Sequence, residues 1–90
     1  MLIVEFEIKP DYADQFATLV QAQADNSLKL EPDCHFFMVE RREDANNKFV
    51  LSEVYTHAKA FQEHLASAHF LDFDNNIADW VIEKNVRSIE

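Results

Sequence analysis

Glycine is absent from the sequence, which also has only two prolines and one cysteine. Any turn that needs positive φ must therefore use another residue, and Asn46, Asn47, Asn75 and Asn76 are the expected occupants. No Gly/Ser-rich tract marks a linker or a disordered tail, so residues 1–90 read as a single domain. The lone Cys34 has no internal partner for a disulfide and no second cysteine for the usual zinc motifs. It is expected as a small buried side chain at the start of a strand. Basic residues are scarce as well: eight Lys and Arg stand against 17 Asp and Glu, a formal charge of −9, and they are scattered. That balance disfavours DNA, RNA and anionic membrane surfaces as partners. The opening MLIVEFEIKP lacks a basic n-region, and no stretch approaches the roughly 18 apolar residues of a membrane span, so the expectation is cytoplasmic.

What remains is a folded composition, 48% hydrophobic and 28% charged, with eight Phe. A chain of 90 residues buries only roughly 60 to 65% of its unfolded surface, so any ligand cavity competes with the core. Leu2, Val4, Phe6 and Ile8 alternate with Ile3, Glu5, Glu7 and Lys9, the period of a half-buried strand that Pro10 ends. Asp11 is the expected N-cap of a helix over about 11–30, with Phe16, Leu19, Val20, Gln23, Ser27 and Leu30 on one stripe. CHFFMVERR and KFVLSEVYT, joined by the polar EDANN, read as an antiparallel hairpin. Thr56 is placed to cap a helix from His57 to about His69; a short helical piece and a last strand carrying Val81, Val86 and Ile89 follow. The order β-α-β-β-α-β predicts an α+β, ferredoxin-like fold with a four-stranded antiparallel sheet and its helices on one face.

Both faces of that sheet are apolar. Phe36 and Met38 oppose Phe37 and Val39, and Phe49, Leu51 and Tyr55 oppose Val50 and Val54. Helices cover one face only, so the other calls for a second sheet, most simply from a second copy of the chain in a homodimer.

Inward-pointing polar residues mark the candidate site, because burying one unpaired costs roughly 1 to 3 kcal/mol. These are Gln23 and Ser27 on the first helix, Glu53 beside Tyr55 on the third strand, and His64 on the second helix. Each has an ordinary structural explanation alone: a satisfied core histidine, an ion pair of Glu53 with Arg41 or Arg42, a serine bonded to its own helix backbone. Together they form a polar cluster in an aromatic cleft, the composition of a small-molecule pocket. On one continuous helix His64 and His69 diverge by about 140°, and no metal-binding spacing occurs, so no metal is expected. His69 and Phe70 are expected at the cavity mouth, and His57 at the surface or as a cap.

The run Ser27 to Cys34, then Phe36-Phe37, Glu53-Val54-Tyr55, Ala60-Phe61, His64 and Ser67-Ala68-His69-Phe70, resembles the antibiotic biosynthesis monooxygenase family, in particular its quinol monooxygenase and autoinducer-2 degrading branches. The resemblance implies a dimeric α/β barrel and a cofactor-free monooxygenase acting on a quinol or similar electron-rich aromatic. A base removes the phenolic proton, and the anion itself passes an electron to dioxygen. In this reading His64 is the base and Glu53 orients or polarises it. Tyr55, Gln23 and Ser27 contact substrate, while His69 and Phe70 line the entrance. Related enzymes include an isomerase of a phosphorylated ketone, so an isomerase or degrading enzyme for a small carbonyl metabolite is the alternative, and a non-catalytic dimeric ligand-binding protein the third. Two positions depart from the family pattern: Gln23 stands where many members have Asn, and Asp33 where Gly is usual.

Overall fold

The computed structural model describes residues 1–89. Strand β1 (Leu2–Ile8) leads through a 3-10 turn at Pro10–Tyr12 into helix α1 (Ala13–Leu30). Strands β2 (Cys34–Arg41) and β3 (Lys48–Tyr55) form the hairpin, helices α2 (Ala58–Ala66) and α3 (Ala68–Ile77) follow, and a 3-10 turn at Ala78–Trp80 precedes β4 (Val81–Ser88). The sheet is antiparallel in the order β2-β3-β1-β4, the ferredoxin-like α+β fold expected from the pattern. Among the described residues no helix is long and apolar enough to cross a membrane.

Period-2 alternation in β1 sends Val4, Phe6 and Ile8 into the core, where they meet Phe49 and Leu51 of β3 and Phe16, Val20 and Ala24 of α1. Phe16 is fully buried, its ring centroid 5.1 Å from Phe6, 4.7 Å from Phe49 and 6.1 Å from Phe73. This one side chain joins two strands and two helices. Cys34 is buried at the start of β2, as its position suggests.

Several local expectations need correction. Asp11 does not cap α1: the Pro10 turn runs directly into the helix, and its N-cap, Tyr12, makes no side-chain cap bond. The cap of α2 is His57, whose Nδ1 accepts from the Ala60 N–H at 3.0 Å. Thr56 instead ties to Asp33, its hydroxyl donating to Oδ1 at 3.0 Å and its N–H to the carbonyl at 2.9 Å. No residue among those described has positive φ, so none of the four asparagines does. The loop of six residues between β2 and β3 is long enough to close with negative φ throughout, held by the Lys48 N–H on the Ala45 carbonyl. Asn75 and Asn76 lie inside α3. Finally, Leu30 leaves the buried stripe for solvent, and the stripe of α1 runs on from Gln23 and Ser27 to half-buried Glu31.

Replacing Phe16 with Ala removes its contacts to β1, β3 and α3 at once and should lower unfolding stability by about 3 to 5 kcal/mol. Urea denaturation measures it; a loss under about 1 kcal/mol would contradict this assignment of the core.

Candidate active site

The site begins at a break between two helices. Ser67, with φ −70° and ψ 148°, is extended and stands as C-cap of α2 and N-cap of α3. Its hydroxyl donates to the His64 carbonyl at 2.6 Å and accepts from the Phe70 N–H at 3.3 Å, so one side chain satisfies a carbonyl of one helix and an amide of the next. The bend breaks the continuous helix on which the histidines would diverge. Both now meet Glu31 at the end of α1: His64 Nδ1 lies 2.8 Å and His69 Nε2 2.5 Å from its Oε2.

That corrects two expectations. The carboxylate that orients His64 is Glu31, not Glu53, and the histidines converge. Glu31, His64 and His69 place three potential ligand atoms within 4.8 Å of one another. Contacts of 2.5 and 2.8 Å are hydrogen-bond lengths; nitrogen and oxygen donors around a tetrahedral zinc ion stand about 3.4 Å apart. As it stands the cluster is drawn together by shared protons.

Burial raises the Glu31 carboxyl, yet hydrogen bonds from His64 and His69 outweigh it and hold the group below its ordinary value. Glu31 is therefore a carboxylate at neutral pH. For His64, burial wins over the attraction of Glu31 and the imidazole is held below its ordinary value, hence neutral. A neutral imidazole facing a carboxylate through Nδ1 carries its proton there, which leaves Nε2 as a free acceptor.

His64 forms part of the wall of a cavity of about 320 Å³ between the sheet and the helices. Its apolar walls include Phe6, Phe37, Leu51, Phe61, Phe70 and Phe73, and its polar lining is Gln23, Glu53, His64 and Lys84. Gln23 is buried, and its Nε2 has no hydrogen-bond partner among the described residues. Glu53 is 3% exposed and pairs with neither arginine: Arg41 bridges to Asp14 and Arg42 to Asp44. Its Oε1 accepts from the Tyr55 hydroxyl at 2.9 Å. Burial pushes the Glu53 carboxyl up to about 7 despite that bond, and burial with the nearby carboxylate pushes the Tyr55 phenol up too.

Of the seven residues expected at the site, Gln23, Glu53, His64 and Phe70 line this cavity. The other three stand behind it. Tyr55 holds Glu53, His69 holds Glu31, and fully buried Ser27 has its Oγ 3.5 Å from His64 Nδ1. Glu31 and Lys84 are functional candidates that sequence reasoning missed. For Glu31 the signal was there, four residues beyond Ser27 and eight beyond Gln23 on the buried stripe. For Lys84 it was its alternation with Val86 on β4.

The sequence pattern of the family described as antibiotic biosynthesis monooxygenase matches residues 1–76. Among solved structures, a protein of Nitrosomonas europaea provisionally designated an antibiotic biosynthesis monooxygenase is 28% identical, with a TM-score of 0.90 over 96% of this chain and 83% of that one. A protein of Bacteroides thetaiotaomicron with the same provisional designation is 18% identical, at a TM-score of 0.94 over 99% of this chain and 85% of that one; a likeness so low in identity bears on the fold alone. No curated protein matches the chain significantly.

Glu53 gives a measurable consequence. Its carboxyl is raised to about 7 in the fold against 4.5 in the unfolded chain, so the native state holds the extra proton between those values. Stability contributed by this group is full below pH 4.5 and falls as pH rises through 7, by on the order of 3 kcal/mol. Glu53→Gln should remove the decline. Urea titrations of both proteins across that range that ran parallel would contradict the assignment.

Proposed function

Since the chain belongs to the antibiotic biosynthesis monooxygenase family, we infer that it oxygenates a quinol or similar electron-rich aromatic without a cofactor, using His64 as the base. The observation that carries this reading is His64 braced through Nδ1 by Glu31 at 2.8 Å on the wall of an aromatic cavity, where burial holds the imidazole below its ordinary value. A phenolic O–H placed against Nε2 gives up its proton there. The imidazolium so formed sits against a carboxylate, which offsets its charge, much as an aspartate steadies a catalytic histidine elsewhere. The electron-rich anion then reduces dioxygen directly, and the apolar walls keep water from the reactive oxygen species. Gln23 Nε2, otherwise without a partner, donates to a second substrate oxygen. Phe61 and Phe70 flank the ring.

A second reading rests on Glu53. A carboxyl raised to about 7 on the same cavity as a neutral histidine is an acid–base pair, the equipment for enolising a small carbonyl compound. Oxygen use separates the two.

The active form is proposed as a homodimer joined through the outer sheet face. Phe36 and Met38 are 39% and 43% exposed there, opposite Val54 and Ser52 in the register. Light scattering should give twice the chain mass, and Met38→Lys should return it to one.

Uptake of dioxygen with a hydroquinone panel should fall at least about 100-fold in His64→Ala. Activity should rise with pH through a value below 6.5, as His64 loses its proton, and fall again near 7 as Glu53 ionises. In Glu53→Gln the alkaline fall should vanish. Uptake unaffected by His64→Ala would refute the role of the base; carbonyl isomerisation with no oxygen use would favour the second reading.

A further inference from the structure

The cavity lining is unbalanced in its hydrogen-bonding groups. Gln23 Nε2 is a donor with no partner among the described residues, Glu53 is protonated below about 7, and Lys84 is a cation, whereas His64, with Nδ1 held by Glu31, offers its Nε2 as an acceptor on the same cavity. In a chain of net charge −9, a lysine on the wall of an aromatic cavity stands out. Arg41, Arg42 and Arg87 each bridge to a carboxylate, and Lys84 forms no salt bridge among the described residues. Its Nζ instead lies over two rings of the cavity wall, 5.4 Å from the centroid of Phe6 and 5.7 Å from that of Phe70.

The alternation of β4 puts it there. Lys84 pairs with Phe6 and Val86 with Val4, so both project to the core side of the sheet at its open edge. Glu83 and Asn85 take the other face, where they line a separate cleft with Glu5 and Glu7. The titratable groups that share the cavity with Lys84 are Glu53 from β3 and His64 from α2; Glu31 of the α1 terminus stands behind His64. The lysine charge is felt at both Glu53 and His64, lowering each.

Building on the oxygenase reading, we propose that the cavity stabilises its substrate as an oxyanion once bound, with Lys84 the counter-ion of the phenolate or enolate left when the proton passes to His64. The substrate class is thereby narrowed to aromatics or enols with an acidic hydroxyl, flat enough to lie among the Phe rings. Proton and charge balance within the site: the O–H bond breaks, its proton joins Nε2, the electron pair stays on oxygen, and the lysine faces it. Gln23 and the protonated Glu53 supply neutral hydrogen bonds to the same or a neighbouring oxygen. Substrate enters at the β4 edge, where Val86 is half exposed.

4-Nitrophenol is the probe, because its phenolate is yellow and its phenol is not, so binding and ionisation are read without turnover. Bound to the protein, its titration midpoint should fall by about one unit relative to free solution, the effect of an opposite charge close by. Lys84→Gln should abolish the fall and Lys84→Arg should retain it. The neutral probe, at a pH well below the midpoint, should bind both variants equally, which separates charge from a damaged pocket. An unshifted midpoint in the native protein, or an equal shift in Lys84→Gln, overturns the counter-ion role and leaves the oxygenase reading intact. Weaker binding of the neutral probe to Lys84→Gln also overturns it, in favour of a packing role. A shifted midpoint without oxygen uptake from any hydroquinone keeps the anion site and refutes the oxygenase, and no binding by the native protein refutes both.

Discussion

The contact on which the rest of the site depends is the one between Glu31 and the two histidines. It joins the C-terminal end of α1 to the junction of α2 and α3, elements far apart in the chain. A buried imidazole left alone has no fixed tautomer and a free choice of ring orientation. Against the Glu31 carboxylate His64 has one of each, with Nδ1 occupied and Nε2 open. The pair is only 3% and 14% exposed at the side chains, so water screens it little. His69, on the same carboxylate oxygen, stops Glu31 from turning away.

Around that anchor the molecule divides its apolar residues between two jobs. Phe6, Phe37, Leu51 and Phe73 belong to the core and also line the cavity. Phe16, by contrast, serves the core alone and closes the fold beneath the cavity floor. A small domain has little surface to spare for a pocket, and sharing of this kind is how a cavity of about 320 Å³ coexists with a closed core. The two carboxyls near the site are driven opposite ways by the same physics. Glu31 meets two hydrogen-bond donors from histidine and stays ionised, while Glu53 meets one phenol and a dry wall and keeps its proton to about 7.

Much of this was legible in the sequence because it follows from periodicity. The alternation of Leu2 to Lys9 and of the β2–β3 hairpin predicted strands that the fold contains, and the order of elements carried the sheet topology. The inward positions of Gln23, Ser27, Glu53 and His64 came from the same counting, and all four are buried. What counting missed depends on a single side chain's hydrogen bonds. Nothing in the period of α2 says that Ser67 will terminate it and cap α3, yet that bend turns the divergence of the histidines into convergence. Glu31 directly precedes Pro32, where a helix ends, and that position hides its more informative property, a place on the buried stripe. Lys84 was lost because an edge strand is mostly exposed and its alternation is diluted by a register shift near Ile8.

The catalytic account stands on the protonation state of one ring. Long-range nitrogen–proton NMR of histidine-labelled protein at neutral pH reports directly which nitrogen of His64 carries hydrogen. The structure predicts a neutral ring protonated at Nδ1, with an Nε2 resonance typical of an unprotonated nitrogen, and a change of tautomer in Glu31→Ala. A ring protonated at Nε2, or an imidazolium at that pH, would contradict it.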